Sequence, residues 1–100
     1  MKLEWSRRAQ QDLAGIAAYI SADDPASARQ WIEQLRRCAK KASTVPGIGR
    51  RVPEYAHEDI REVLLRTYRI IYLQLRSRVV VLTVTEGHRL LPALNELRPR

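Results

Sequence analysis

One hundred residues have room for one domain, 1–100, with roughly 60–70% of the unfolded chain's surface removed from water on folding. Hydrophobic residues at 45% and charged residues at 29% exclude disorder; the absence of repeats excludes a solenoid, and no apolar run exceeds about five residues, against the roughly twenty that cross a bilayer. The net charge of +7 favours an acidic partner such as nucleic acid, a ribonucleoprotein or an acidic protein.

Met1-Lys2-Leu3-Glu4 is expected not to be a secretory leader, because charge arrives before any apolar stretch, and the expected compartment is the cytoplasm. Lys2–Trp5 alternates and predicts a first strand. Ser6 suits a helix cap. Ala9, Leu13, Ile16, Ala17 and Ile20 then recur at helical spacing, predicting a helix that ends near Ser21. Tyr19 is expected to border the core with its hydroxyl in water. Asp24-Pro25 starts a second helix, with a cap residue and proline at the first position. Its apolar stripe is Ala28, Trp31, Ile32, Leu35, Ala39 and Ala42. Trp5 and Trp31 fall on core faces and read as packing. Cys38, the lone cysteine, excludes an intrachain disulfide and reads as a buried thiol. Two helices so closely joined form an αα-hairpin.

Residues 43–59 break both periodicities with Pro46, Gly47, Gly49 and Pro53, predicting a loop. Three strands are predicted at Ile60–Leu65, Tyr68–Leu75 and Val79–Thr85. Short links at Leu65-Arg66-Thr67 and Arg76-Ser77-Arg78 make them consecutive hairpins. The tail from Leu90 carries Leu90, Leu91, Leu94 and Leu97, spaced for another helical turn or two and limited by Pro92 and Pro99. The expected class is α+β, in the order β-α-α-β-β-β, with the helical hairpin packed on one face of an antiparallel sheet.

Few groups are available for chemistry. Gly47 and Gly49 lack the flanking residues of a phosphate loop. His57 and His88 are the only histidines, and neither belongs to a zinc-binding pattern, so no metal or cofactor is expected. Arginine is the better lead: 15 of the 18 basic residues are Arg, whose planar fork suits carboxylate, phosphate and stacked bases. Regular hairpins could bring Arg61, Arg69 and Arg89 to one side or end of the sheet, beside Tyr68 and Tyr72. Such a face could hold RNA or the carboxylates of a protein. The same arginines would equally serve as solvated residues guarding a sheet edge.

Several segments resemble one family. Trp5-Ser6, Asp12-Leu13, Ile16, Tyr19-Ile20 and Pro25-x-x-Ala28 resemble the start of the ParE toxins of the RelE/ParE superfamily. Pro46-x-x-Gly49-Arg50-x-Val52-Pro53-Glu54 resembles that family's helix-to-sheet connection. Ile60-Arg61-Glu62-Val63 and Tyr68-Arg69-Ile70-x-Tyr72 resemble its central strands. The likeness runs from about Leu3 to Leu91.

The resemblance implies the toxin of a bacterial type II toxin–antitoxin pair. Such a toxin is held in a hetero-oligomer by a cognate antitoxin, ParD-like or of another class, whose C-terminal segment wraps its surface. An acidic partner segment is expected over the helical hairpin and any open sheet edge. ParE-like members bind DNA gyrase; RelE-like members cut mRNA on the ribosome. Cleavage needs a base, an acid and cations around the phosphate. Here Arg61, Arg69, Arg89 and His88 would have to supply them, while Glu62 stands where a basic residue would serve and the tail after Arg89 has no Tyr, His or Lys. That set is incomplete, which favours gyrase binding with no catalytic residues. The implied target contacts are Arg61, Tyr68, Arg69, His88, Arg89, Leu90 and Leu91, with Leu94 beside them. Glu86-Gly87-His88-Arg89 departs from the His-Gly-Arg-Arg ending of many ParE-like chains at Glu86 and His88. Ribosome-dependent cleavage with His88 as base is the alternative, and a basic nucleic-acid-binding protein without toxicity is a third reading.

Overall fold

The computed structural model describes residues 1–45 and 47–97. The chain forms β1 (Lys2–Trp5), α1 (Arg7–Ser21), α2 (Pro25–Thr44), β2 (Arg50–Arg51), β3 (Ile60–Leu65), β4 (Tyr68–Gln74) and β5 (Arg78–Glu86), then a 3₁₀ turn at Leu94–Leu97. Pro46 and the part of the expected terminal turn beyond Leu97 lie outside the described residues.

Both helix starts follow from their caps. Ser6 Oγ accepts the Ala9 N–H at 3.1 Å and donates to the Leu82 carbonyl at 3.0 Å, so one side chain starts α1 and ties it to β5. Asp24 accepts from the N–H groups of Ala26 and Ser27, with Pro25 behind it. The helices pack side by side on the sheet. Ala9, Leu13, Leu35 and Ala39 meet Ile70, Val81 and Val84 in the main core, with Trp5, Ile16, Ile32 and Cys38 at its margin. Burial pushes the Cys38 thiol up, which suits a packing group. Trp31 packs edge-on against Tyr68, and the Arg36 and Arg66 guanidinium groups lie over Trp5 and Trp31. Tyr19 departs from expectation. It is 73% exposed rather than bordering the core, because it lies off the stripe that meets the sheet.

The sheet order is β1-β5-β4-β3-β2. β2, β3, β4 and β5 are antiparallel neighbours, but β1 runs parallel to β5, pairing Leu3 with Val79 and Trp5 with Val81. The sheet is therefore mixed, not wholly antiparallel. A short alternating stretch carries no mark of strand direction; the helical hairpin and the three-strand meander fix it. β2 lies inside the expected loop. Its two residues show no periodicity, and it pairs because Arg50 stands opposite Glu62.

The second face of the sheet is covered too. Val52 and Tyr55 from the connection before β3, and Leu97 from the tail, bury Ile60, Ile71, Val80 and Leu82, with Leu91 and Leu94 packed alongside. The Tyr55 hydroxyl donates to the Pro92 carbonyl at 2.6 Å and straps connection to tail. Three layers result: helices, sheet and a thin covering of loop and tail.

Gly49, in the link between α2 and β2, lies against Tyr72 on the helix side of the sheet. A Cβ there would stand 1.9 Å from Tyr72 Oη and 2.8 Å from Cζ, and Tyr72 is only 1% exposed, so its ring has nowhere to go. Gly49→Ala is expected to destabilise the protein by roughly 1–3 kcal/mol through overpacking, read as a lower urea midpoint at unchanged slope.

Candidate functional site

Strand register decides which arginines meet. Arg61 stands opposite Tyr72, and Arg69 opposite Leu64. Residues directly opposite share a face and neighbours along a strand alternate. Arg61 therefore lies on the helix-side face with Val63, and Arg69 on the other face with Ile71. The two do not converge.

Arg69 is only 7% exposed. Its Nε donates to Glu62 Oε1 at 2.6 Å, and its two terminal nitrogens donate to both oxygens of Glu54 at 2.6 and 2.8 Å. That fork-to-fork pair is the strong form of an Arg–carboxylate contact. The Glu62 side chain is fully buried, and its second oxygen accepts from Arg50 Nε at 2.8 Å. Two arginines and two glutamates thus close one charge-balanced chain across β2, β3, β4 and the connection. Glu62, the acid where a ribonuclease would want a base, is the centre of this chain. The carboxylates raise the Arg69 pKa further, keeping it charged.

His88 is exposed just after β5. It lines a shallow groove of about 460 Å³ with Arg50, Glu54, Arg66, Thr67 and Arg69, above the ion-pair chain. Arg66, which holds the link to β4 at a left-handed φ of 53°, forms part of its rim.

Tyr68, Arg89 and Leu90 come together elsewhere, in a groove of about 550 Å³ between α1 and the end of β5. Arg8, Asp12, Tyr19 and Glu86 complete its walls. Leu90 is 97% exposed. Burial, followed by the Glu86 charge, pushes the Tyr68 phenol up and keeps it neutral. Leu91 and Leu94 instead pack against the second core, so the implied apolar contact patch divides after Leu90.

Arg61 is apart from both grooves. Its Nε donates to the Glu58 carbonyl at 3.0 Å, and Arg51 of β2 stands directly opposite. Like charges in that position repel unless something acidic lies between them. The sequence hides this pair, because β2 has no strand signal; it likewise hides Arg8, which joins Arg89 only through the packing of α1 beside β5. A third cleft, about 600 Å³, runs between the helices over Ala17, Ala18, Ala28 and Ile32, flanked by Arg29 and Arg36. Among the described residues no three His, Cys, Asp or Glu side chains gather as metal ligands, and no helix is long and apolar enough to cross a membrane.

The family model described as the ParE toxin of the type II toxin–antitoxin system parDE matches residues 3–91. A solved chain titled "Chromosomal ParDE TA system from P. aeruginosa" superimposes with a TM-score of 0.70 at 20% identity, covering 86% of this chain and 95% of that one; at such identity the likeness is one of fold. None of the curated proteins matches.

Two outcomes are expected of the ion-pair chain. Glu62→Ala should cost about 3 kcal/mol, near the lower end for breaking a buried pair because Glu54 still holds Arg69; adding Arg69→Met should recover part of the loss, both read from urea unfolding. Arg69's hydrogen bonds hold the Glu54 carboxyl below the ordinary carboxylate range. Its stabilising effect is complete above the unfolded value, near pH 4.3, and is lost as pH falls through the lower folded value. Glu54→Gln should therefore flatten the acid limb of a stability–pH curve below about pH 4.3, with a smaller neutral-pH loss than Glu62→Ala because Glu54 is half-exposed.

Proposed function

Since this chain belongs to the ParE toxin family and is the toxin component of a type II toxin–antitoxin pair, we propose that it acts by binding DNA gyrase and is neutralised by its cognate antitoxin. The observation that carries the choice of binding over RNA cleavage is the state of Arg69. A phosphate in an RNA-cutting site needs free cations grouped around it, with an acid and a base in reach. Arg69 is occupied by two carboxylates, and Arg61 is on the opposite face. His88 looks onto Glu54 and Arg69, while Arg89 belongs to the other groove.

A binding inhibitor needs only a surface. Tyr68, Arg89 and Leu90 supply one, setting an exposed apolar side chain beside a tyrosine and an arginine, two residue types enriched among the anchors of protein interfaces. His88 adjoins it from the neighbouring groove. Arg69 supports the surface from beneath by fixing β3 against β4, and Leu91 anchors the tail that presents Leu90. The cleft between the helices suits an amphipathic segment of the antitoxin.

Titrating the purified protein against gyrase and relaxed plasmid should abolish supercoiling or trap cleaved DNA, and adding antitoxin should restore activity. Arg89→Ala is expected to weaken inhibition about tenfold or more, as for a central interface residue. Unimpaired supercoiling at large molar excess of folded protein, together with mRNA cleavage on ribosomes that His88→Ala removes, would establish the RelE-like alternative instead.

A further inference from the structure

His88, Arg89 and Leu90 are suspended between two hydrogen-bonded posts. At one end the Gly87 N–H donates to the Thr67 carbonyl at 2.7 Å, in the link between β3 and β4. At the other the Tyr55 hydroxyl donates to the Pro92 carbonyl at 2.6 Å. Between them the Arg89 N–H makes only a local turn with the Glu86 carbonyl. Apart from that turn, Tyr55 supplies the one hydrogen bond among the described residues that joins 88–97 to the rest of the chain. The tail's other fastenings are apolar, through Leu91, Leu94 and Leu97, and such packing has no direction. Leu90 is 97% exposed, so its own side chain fixes nothing.

We propose that Tyr55 is a positioning residue for target binding: its hydroxyl holds Pro92 so that Arg89 and Leu90 stand where gyrase meets them. The inference deepens the gyrase-binding reading and rests on it. Tyr55 is a firm post. Its N–H donates to the Val52 carbonyl at 3.1 Å, and Arg69 grips both oxygens of the preceding residue, Glu54. At 9% exposure Tyr55 meets no partner itself and acts through Pro92. Pro92 lines the groove that Tyr68, Arg89 and Leu90 share, while its carbonyl is the atom that Tyr55 bonds. Proline fixes its own φ and pushes the residue before it, Leu91, towards extended backbone. A seated Pro92 therefore sets the course of the chain just before it, with Leu91 turned into the second core and Leu90 into water. Without the hydroxyl the tail stays packed but is free to shift along its apolar face. Only molecules with Pro92 in place present the surface, and the apparent affinity falls with that fraction.

Two variants test this. Tyr55→Phe keeps the ring in the second core and deletes only the donor. Ile71→Val trims the same core on β4, at a comparable loss of stability, and leaves the strap intact. Amide exchange and the supercoiling titration are read on both variants and on the unaltered protein. In Tyr55→Phe the Glu96 amide, which bonds the Ala93 carbonyl, should exchange roughly two- to tenfold faster than in Ile71→Val. Inhibition of gyrase by Tyr55→Phe should weaken about threefold or more, while Ile71→Val inhibits as the unaltered protein does. Inhibition that Tyr55→Phe leaves unchanged, or a loss that Ile71→Val reproduces, overturns the inference and leaves the gyrase-binding reading intact. Unchanged exchange in the tail of Tyr55→Phe does the same. If the unaltered, folded protein does not inhibit gyrase, that reading falls and the inference falls with it.

Discussion

Arg69 and its two carboxylates constrain everything around them. A buried guanidinium is tolerated only when its hydrogen bonds are met, and a fully buried carboxylate only when it is paired. Glu62 meets both conditions at once by bonding Arg69 on β4 and Arg50 on β2. Glu54 closes the remaining side. The chain therefore binds four segments that otherwise share little apolar surface. It gives the two-residue β2 a reason to pair, and it fixes the connection at Glu54, one residue before Tyr55 straps to the tail. Hydrophobic groups alone would leave that corner free to slide, since such packing is non-directional. Ion pairs in this geometry are not.

The same chain sorts the arginines by role. Fifteen arginines in one hundred residues suggest a surface rich in interchangeable cations. They are not interchangeable. Arg69 and Arg50 belong to the interior chain, Arg36 and Arg66 lie on tryptophan rings, and Arg78 and Arg37 pair with Glu4 and Glu33. Arg8, Arg89, Arg51 and Arg61, like Arg7, Arg29 and Arg76, make no side-chain ion pair among the described residues. A partner meets that smaller set, with Arg8 and Arg89 in the α1–β5 groove, Arg51 and Arg61 at the β2–β3 edge and Arg29 beside the cleft between the helices.

Much of this fold is legible in the residues. The caps at Ser6 and Asp24, the 3.6-residue stripes behind them and the short links between three β-branched runs locate both helices and β3–β5 to within a residue or two. The facing of Arg61 and Arg69 is also present in the sequence. A two-residue turn at Arg66-Thr67 pairs Leu65 with Tyr68, and counting outward places Arg61 opposite Tyr72 and Arg69 opposite Leu64, on different faces. The same count makes Glu62 and Arg69 diagonal neighbours. The unbroken apolar runs Ile70–Leu73 and Val79–Leu82 signal strands covered on both sides, which is the second core. Other features leave no local trace. The direction of β1, the pairing of Arg50–Arg51, and the seating of Arg8 beside Arg89 arise from contacts far apart in the chain, which no periodicity encodes. The family likeness is similarly a matter of order and spacing, since each of its motifs is short.

The parallel pairing of β1 with β5 also orders events in time. Lys2 has no strand partner until Arg78 exists, and Trp5 none until Val81 exists. During synthesis the helical hairpin emerges before β5 and assembles locally, while β1 waits for Arg78–Val81. Closure of the sheet, and with it the groove that sets Arg8 beside the end of β5, therefore follows the emergence of β5. Contacts so distant in sequence form slowly.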